Sequence, residues 1–422
     1  MSLRRFRKGD KLPADLSKVP ERIELKVYEA YDGWRVDRYL AEHIPWRSRT
    51  QIQERIKAGV VCKNGSVVPT GNRRVRFGDL VTVEVPPPKE DLSALEEIEL
   101  PLLYEDAWFI GVDKPPNLLV HPVGERRFTS VINILHRMYR NTEDPRKDVV
   151  PMLGHRLDAE TTGVLLCTKS KRAKGLVTKA IMRRDTVKRY VALVEGHLAE
   201  PAALIDMPLG PRPEHEITLS RGIDLEHGQP AQSVYRVAQR LPGFDLVEVQ
   251  LITGRQHQIR VHFEALGHPL VGDPLYGVRR TLTRREAREA GERDIAASTV
   301  ARRAEPAQTP PMAELFEVRE SLPQLSAPNP QWRARRTMVP AEGPDPWHDD
   351  TEEAFLATGT RAKPIQRPLG FPTDPEVLLD RVALHSAELI LDHPFEPRPL
   401  QLVAPLPQDL AAAVAELQGF WS

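Results

Sequence analysis

The sequence predicts a mixed fold of helices and strands, in which a small N-terminal unit precedes a larger, sheet-rich core. Two features predict the small unit: helical segments at 36–43 and 48–57, and an Asn64-Gly65 pair typical of a type I′ β-hairpin. From about residue 100, short apolar runs bounded by turn residues are typical of strands. With 422 residues, the chain is long enough for two or three domains.

The borders of the small unit follow from local composition. Residues 1–21, rich in Lys, Arg, Asp and Pro, predict a disordered basic arm. The unit itself spans 22–88, with Ser48 as a candidate N-cap of its second helix and the alternating Val81, Val83 and Val85 as its last strand. The three prolines at 86–88 begin a linker that we extend through 89–99.

The core is predicted over 100–277 and 371–422. Apolar runs predict strands at 108–112, 118–120, 163–168, 190–194, 244–252 and 381–391. Apolar residues at helical spacing predict helices around 173–181 and 256–266, the second ended by Gly267. Residues 278–370 are rich in Arg, Ala and Pro with few apolar anchors, so we expect a largely exposed insertion, partly ordered, with a possible helix near its start.

Charge is unevenly distributed, although the formal net charge is zero. Residues 1–85 carry 18 Lys/Arg against 11 Asp/Glu, whereas residues 340–422 carry 5 against 14. Between Lys169 and Arg189 there are nine basic residues and one acid, Asp185. Such a run is often only a solvated helix face, but a one-sided cluster repels itself unless a polyanion binds it. It therefore indicates a nucleic-acid partner.

Other classes of protein are disfavoured. No apolar stretch approaches the roughly 18 residues that span a bilayer, and no apolar run follows the basic N-terminus, so we expect neither a membrane protein nor an exported one. The two cysteines, Cys62 and Cys167, form no metal-ligand spacing and no disulfide framework, as expected of a chain in a reducing cytoplasm.

The first candidate for chemistry is Asp158, in the segment GHRLDAETTG at 154–163. A carboxylate in a loop immediately before a buried strand is held by a rigid sheet, where catalytic groups often lie. The alternative is that Asp158 only caps the turn through its side-chain oxygens.

The second candidate segment is TGRQHQIRVH at 253–262. Arg255 would stand at a helix start, where the helix dipole disfavours a cation, so a nearby carboxylate is expected, and Asp158 is the natural partner. His257 and His262 could suggest a metal, but a spacing of five places them on different helix faces, and we interpret them as structural or RNA-contacting.

The motifs together resemble RluA-type pseudouridine synthases. His155 to Gly163 is similar to the family's HRLD-x-x-TSG motif, with Thr162 where serine is usual, and 253–262 resembles its TGR-x-HQIR-x-H block. Lys188-Arg189-Tyr190 resembles the tyrosine-bearing strand, and 272–277, 384–386 and 404–407 resemble later blocks. The match covers 100–277 and 378–410. The unit at 22–88 resembles an S4 RNA-binding domain through Arg35, Asp37, Arg38, Ser48, Arg49, Arg55 and the turn-strand element Lys63-Asn64-Gly65.

The resemblance implies an α+β fold, with a curved, largely antiparallel mixed sheet that carries the active-site cleft, and an isomerase that needs no cofactor or metal. Asp158 would be catalytic, attacking C1′ of the ribose or removing a proton from C2′; Arg255 would pair with it, and Tyr190 would stack on the base and could accept the C5 proton. Arg156 would occupy the space left by the flipped base. The remaining candidates for substrate or RNA contact are His155, Thr161, Thr162, Gln258, Lys171, Arg172, Arg183, Arg184, Arg49 and Arg55.

Two alternatives from other classes stay open. A non-catalytic RNA-binding protein would need a lost catalytic group, yet Asp158, Tyr190 and Arg255 are present. A glycosidic-bond hydrolase would need a second carboxylate, for which Glu160 is the candidate. The expected partner is structured RNA, with ribosomal RNA slightly favoured over transfer RNA, and the expected state is a cytoplasmic monomer without an obligate protein partner.

Overall fold

The computed structural model describes Leu16, Ile98 and the ranges 22–44, 49–84, 100–122, 129–141, 148–212, 220–297, 312–317, 319–327 and 374–420. Apart from Leu16, the predicted basic arm lies outside the described residues. The same is true of Ser48, of nearly all the predicted linker and of most of the predicted insertion.

The N-terminal unit is a four-stranded sheet covered by two helices. Its strands, in the sheet order β1-β4-β2-β3, are β1 (Arg22–Lys26), β2 (Val61–Lys63), β3 (Ser66–Val67) and β4 (Leu80–Glu84). The helices are α1 (Val36–His43) and α2 (Arg49–Lys57), and a single 3-10 turn covers Glu29–Tyr31. Asn64 and Gly65 have φ values of 50° and 83°, as a type I′ hairpin requires. Val36, Leu40, Ile52 and Val81 belong to an apolar core within this unit.

The larger part is built on one mixed, mainly antiparallel sheet, which confirms the α+β class. The strands are β5 (Leu102–Glu105), β6 (Phe109–Lys114), β7 (Met152–Leu153), β8 (Thr162–Thr168), β9 (Thr186–Glu195), β10 (Ala202–Asp206), β13 (Gln232–Leu241), β14 (Phe244–Leu251), β16 (Gln324–Leu325), β18 (Leu384–Asp392) and β19 (Pro399–Val403). In the described residues, their order in the sheet is β16-β10-β13-β14-β9-β18-β8-β6-β5, with β19 paired to β18 and β7 to β8.

Short strands and helices complete this part of the chain. Two-stranded pairs are formed by β11 (Leu209–Pro211) with β12 (Arg221–Ile223), and by β15 (Leu282–Thr283) with β17 (Val377–Leu379). The helices are α3 (Val131–Tyr139), α4 (Lys171–Arg183), α5 (Gln258–Leu266), α6 (Arg284–Ala297), α7 (Met312–Glu317) and α8 (Gln408–Gly419), with a 3-10 turn at Arg319–Ser321. None of the described helices is long and apolar enough to cross a bilayer.

Strand β18 supplies the centre of the sheet. It runs parallel to β8, with His385 opposite Thr162, and antiparallel to β9, with Ser386 opposite Tyr190. The loop before β8 and the tyrosine of β9 are therefore brought to the same part of the sheet, although β18 is more than 180 residues further along the chain.

One expectation about the fold is wrong. Residues 118–120 are not a strand of the sheet, because their carbonyls accept from other groups: Leu118 O from Lys114 Nζ, Leu119 O from Val131 N and Val120 O from Ile132 N.

The described start of the predicted 278–370 insertion packs partly against the core. Leu282, Ala287 and Ala290 are buried against Leu410 and other residues of the core.

Candidate active site

The loop 154–161 joins β7 to β8 and carries Asp158. Two hydrogen bonds hold it immediately after the aspartate. Lys114, fully buried, donates from Nζ to the carbonyl oxygen of Ala159 at 2.5 Å. Glu160 accepts a hydrogen bond from Val382 N at 2.9 Å through its carboxylate. The Asp158 carboxylate, 29% exposed, is thus held at the sheet end by neighbours that are themselves buried.

Gly163 allows the loop to enter β8. Its φ of 100° lies in the region that favours glycine, and a Cβ at this position would lie 2.2 Å from the carbonyl oxygen of Ser386. The next strand, β18, therefore packs directly against the backbone that positions Asp158.

Arg260 is the cation that pairs with Asp158. Its Nη1 donates to Asp158 Oδ2 at 3.2 Å, while Nε and Nη2 form a bidentate pair with Asp273 at 2.7 and 2.8 Å. Asp273 also accepts from the backbone N–H groups of Leu275 and Tyr276, both at 3.0 Å. Although burial opposes the charge, Asp273 and Asp158 raise the pKa of Arg260 further above its usual value. The guanidinium is a fixed cation beside Asp158.

The predicted pairing of Arg255 with Asp158 is wrong. Helix α5 begins at Gln258, two residues later than expected, so Arg255 lies in the preceding turn at the cleft edge. There its Nε donates to the carbonyl oxygen of Pro230 at 3.1 Å, and its backbone N–H donates to Gln258 Oε1 at 2.9 Å. Arg260 instead lies on the buried helix and reaches inward.

The Arg260 assignment had a signal in the sequence. An arginine among Ile259, Val261 and Phe263 in a buried helix must have an acidic partner, because an unpaired buried charge is costly. Asp273 and Lys114 were also not identified from the sequence. Asp273 orients Arg260 and Lys114 holds the loop at Ala159, and only the fold brings these residues together.

Asp158 lies in a cleft of about 370 Å³. Tyr190, 7% exposed, also lines it, and Leu119, Leu157, Ile259 and Leu384 add apolar walls. Burial, opposed by a hydrogen bond with Ser386 and assisted by the charge of Asp158, raises the pKa of Tyr190 to about 12. Among the described lining residues, Asp158 is the only carboxylate, whereas Arg156, Lys188, Arg255 and Arg260 are cations.

The histidines near the site serve the scaffold. His155 Nε2 accepts from Leu166 N at 3.0 Å, and burial together with the nearby Lys188 cation lowers the pKa of His155 to about 4. His257 Nδ1 is 2.9 Å from Tyr276 Oη, and its Nε2 is 4.0 Å from Asp158 Oδ2. His262 is hydrogen-bonded to Ser233 Oγ and Met207 O, both at 3.1 Å. These bonds agree with a structural interpretation of His257 and His262.

Four other candidates have different positions. Thr161 lines the cleft, whereas Thr162 Oγ1 is 3.0 Å from His385 Nδ1 inside the sheet. Gln258 lines the cleft, but its amide bonds Thr253 and Ser233, both at 2.9 Å, and so holds the turn before α5. Arg156 is exposed at the cleft edge.

The other predicted RNA contacts lie away from the cleft floor. Helix α4 lines the cleft through Thr178, Ile181 and Met182, and the side chains of Lys171, Arg172, Arg183 and Arg184 are exposed along or just after it. In the N-terminal unit, Arg49 pairs with buried Asp37 at 3.2 Å, and Arg55 donates to Glu84 O at 3.3 Å. These six cations therefore lie outside the set of residues that lines the cleft.

Asp37 organises the cations of the N-terminal unit. Arg35 donates to it from Nε and Nη2 at 3.0 and 2.8 Å, and Arg49 donates from the other side. Although burial opposes ionisation, the hydrogen bonds from Arg35 and Arg49 lower the pKa of Asp37 to about 2.

The arrangement has a definite chemical capacity. A single carboxylate with a fixed cationic partner, in a partly desolvated cleft, can stabilise positive charge or act as a nucleophile or base. Glycoside hydrolysis ordinarily requires a second carboxylate, and none is present among the described residues that line the cleft. Glu160, the candidate for that role, is buried and bonded to Val382 N.

Comparison with known proteins gives consistent matches. Residues 109–265 match the family model described as RNA pseudouridylate synthase. The uncharacterized RNA pseudouridine synthase YlyB of Bacillus subtilis is 34% identical over 262 residues, covering 62% of this chain and 84% of that protein. The ribosomal large subunit pseudouridine synthase D of Nitrosomonas europaea is 35% identical over 272 residues, covering 64% and 76%. The protein of the same name from Escherichia coli K12 is 33% identical over 264 residues, covering 62% and 78%.

Proposed function

Because the chain belongs to the RNA pseudouridine synthase family and is an isomerase acting on RNA, we propose that it converts specific uridines of structured RNA to pseudouridine, with Asp158 as the catalytic carboxylate. Ribosomal RNA is the favoured substrate over transfer RNA. Two of the relatives are named as large-subunit ribosomal enzymes, and a basic unit precedes the core here. The observation that carries the catalytic proposal is the Asp158–Arg260 pair inside the cleft.

The reaction breaks the N1–C1′ bond of uridine, turns the base and rejoins it through C5. As the N1–C1′ bond breaks, its electron pair stays with the uracil and positive character develops at the ribose. Asp158, kept ionised and oriented by Arg260, either attacks C1′ or removes the proton from C2′. Both routes use the same carboxylate at the same sugar, and neither consumes a cofactor.

Tyr190 would form the platform for the base. Its side chain is buried and lines the same cleft as Asp158, where stacking would hold the detached uracil during rotation. After C5 bonds to C1′, the proton on C5 must leave, and the Tyr190 hydroxyl is the proposed acceptor. Because a pKa of about 12 keeps the phenol protonated at neutral pH, it would accept this proton only while passing on its own.

The uridine must leave its base stack to reach Asp158, at a cost of a few kcal/mol. Arg156, which is exposed and lines the cleft, would fill the vacated space. The exposed cations of α4 and of the N-terminal unit, which we propose to be S4-like, would offset this cost through phosphate contacts.

Mapping pseudouridines in total RNA tests the proposal. We expect particular sites, in large-subunit ribosomal RNA, to be lost without the gene and restored by the wild-type chain but not by Asp158→Asn. Asp392→Asn, which changes an exposed carboxylate at the end of β18, is the matched control and should restore them. Full restoration by Asp158→Asn would contradict the catalytic assignment, and release of free uracil would indicate a hydrolase instead.

A further inference from the structure

Lys188 is a cleft residue with no partner in the described part of the chain. It lies on β9 two positions before Tyr190, so the two side chains project from the same face of the sheet. Its Nζ would be 3.6 Å from a Cβ placed on Gly254, in the turn after β14. Its side chain therefore extends along the cleft edge, between β9 and the Gly254-Arg255 turn.

Two other cations of the same cleft are bonded to protein groups. Arg260 pairs with Asp158 and Asp273, and Arg255 donates to the carbonyl oxygen of Pro230 at 3.1 Å. No carboxylate or carbonyl among the described residues accepts a hydrogen bond from Lys188. A half-buried ammonium without an acceptor is costly, so an anion that enters the cleft would be bound there.

The position of Lys188 indicates which anion it meets. Residues two apart on one strand are about 6–7 Å from each other, so Lys188 lies about that far along β9 from Tyr190, the proposed platform for the base. Both side chains line the cleft. Lys188 would therefore face the RNA next to the everted base, where the backbone passes, rather than the base itself.

We propose that Lys188 binds a backbone phosphate next to the everted uridine, and that it is a substrate-binding residue of this enzyme. The inference rests on the proposed function. Lys188 takes no part in bond breaking; its role is to fix the register of the RNA in the cleft. Arg156 and Arg255 line the same cleft, so the RNA backbone would pass close to three cations.

Steady-state kinetics on a synthetic RNA fragment around a mapped target uridine test the assignment. We expect Lys188→Met to raise KM about tenfold and to leave kcat within about twofold. The salt slope of log kcat/KM should fall by about 0.7–0.9, the value for one phosphate contact. Lys188→Arg should restore most of the affinity. Arg288→Met, which removes an exposed cation on α6 outside the cleft, should behave as the wild type.

Methylphosphonates placed one at a time around the target identify the phosphate. At one position the neutral linkage should weaken the wild type about as much as Lys188→Met does, and it should weaken Lys188→Met no further. Additive losses at every position, a fall in kcat with unchanged KM, or wild-type kinetics for Lys188→Met would each overturn the assignment. A wild-type chain that makes no pseudouridine in ribosomal or transfer RNA would instead overturn the proposed function.

Discussion

Asp158 and Arg260 are 102 positions apart in the sequence, yet the guanidinium donates to the carboxylate at 3.2 Å. The same guanidinium is locked by its bidentate pair with buried Asp273. The cation beside the proposed catalytic carboxylate is therefore oriented before any substrate enters, so little reorganisation would be needed when charge develops at the ribose in the proposed reaction.

Arg260→Met should lower kcat by at least about 100-fold, because Asp158 loses the cation that orients it. It should also destabilise the fold by about 3–5 kcal/mol, since Asp273 is left buried without its partner. Pseudouridine formation and thermal unfolding measure the two effects. The double variant Arg260→Met with Asp273→Asn separates them: stability should recover while activity stays low. Wild-type activity in the double variant would contradict the role of Arg260.

Tyr190→Phe keeps the stacking ring and removes the hydroxyl. We expect kcat to fall at least about tenfold with KM nearly unchanged, and a primary isotope effect to appear with 5-deuterated uridine because loss of the C5 proton becomes slow. Since the pKa of Tyr190 is raised to about 12, its ionisation should not alter the rate between about pH 6 and 10. An unchanged kcat in the phenylalanine variant would contradict proton transfer to the Tyr190 hydroxyl and would restrict the role of Tyr190 to stacking on the base.

Gly163→Ala should destabilise the chain by more than about 3 kcal/mol. The new Cβ would meet Ser386 O at 2.2 Å, and alanine disfavours a φ of 100°. Gly175→Ala in α4 is the matched control, because nothing lies within 4 Å of its Cβ position, and it should stabilise the helix by about 0.5–1 kcal/mol. Melting temperatures of the two variants give the comparison, and equal values would refute the steric argument.

Asp37 predicts acid sensitivity in the N-terminal unit. Its pKa in the folded chain is about 2, below its usual 3.8, so ionised Asp37 stabilises the fold. This contribution is complete above the usual value and is lost as the pH falls from about 4 through about 2. Hydrogen exchange at 22–84 should therefore accelerate between pH 4 and 2.5 once corrected for intrinsic rates. In Asp37→Asn, the acceleration should be largely absent, and an identical pH dependence would reject the prediction.

Local chemistry predicted much of the fold. The Asn64-Gly65 hairpin, helix α1, and strands β8 and β14 follow from turn residues and from periodicity, which act over a few positions. The strand predicted at residues 118–120 is wrong because an apolar run does not reveal which groups its carbonyl oxygens accept hydrogen bonds from. Here they bind Lys114 and the start of α3.

The carboxylate and the tyrosine of the candidate site were predicted from the sequence, but the arginine that pairs with the carboxylate was not. Asp158 and Tyr190 lie in one cleft, as the resemblance implied. The choice between Arg255 and Arg260 depended on where α5 begins, which is two residues later than the sequence pattern predicts, and helix boundaries are uncertain by that much. From the sequence, Lys188 is only one member of the basic cluster at 169–189. The pairing of β9 with β18 brings Glu388 to its neighbour Arg189, and this pairing is not evident from the sequence.

Strand β18 has a consequence for biogenesis. A nascent chain that has reached residue 277 already contains Asp158, Tyr190, Arg260 and Asp273, but β8 and β9 still await the strand that lies between them. Until residue 392 has been added, both would present unpaired edges that invite association with other chains. Formation of the cleft is therefore a late event, set by sequence separation rather than by any residue that performs the chemistry.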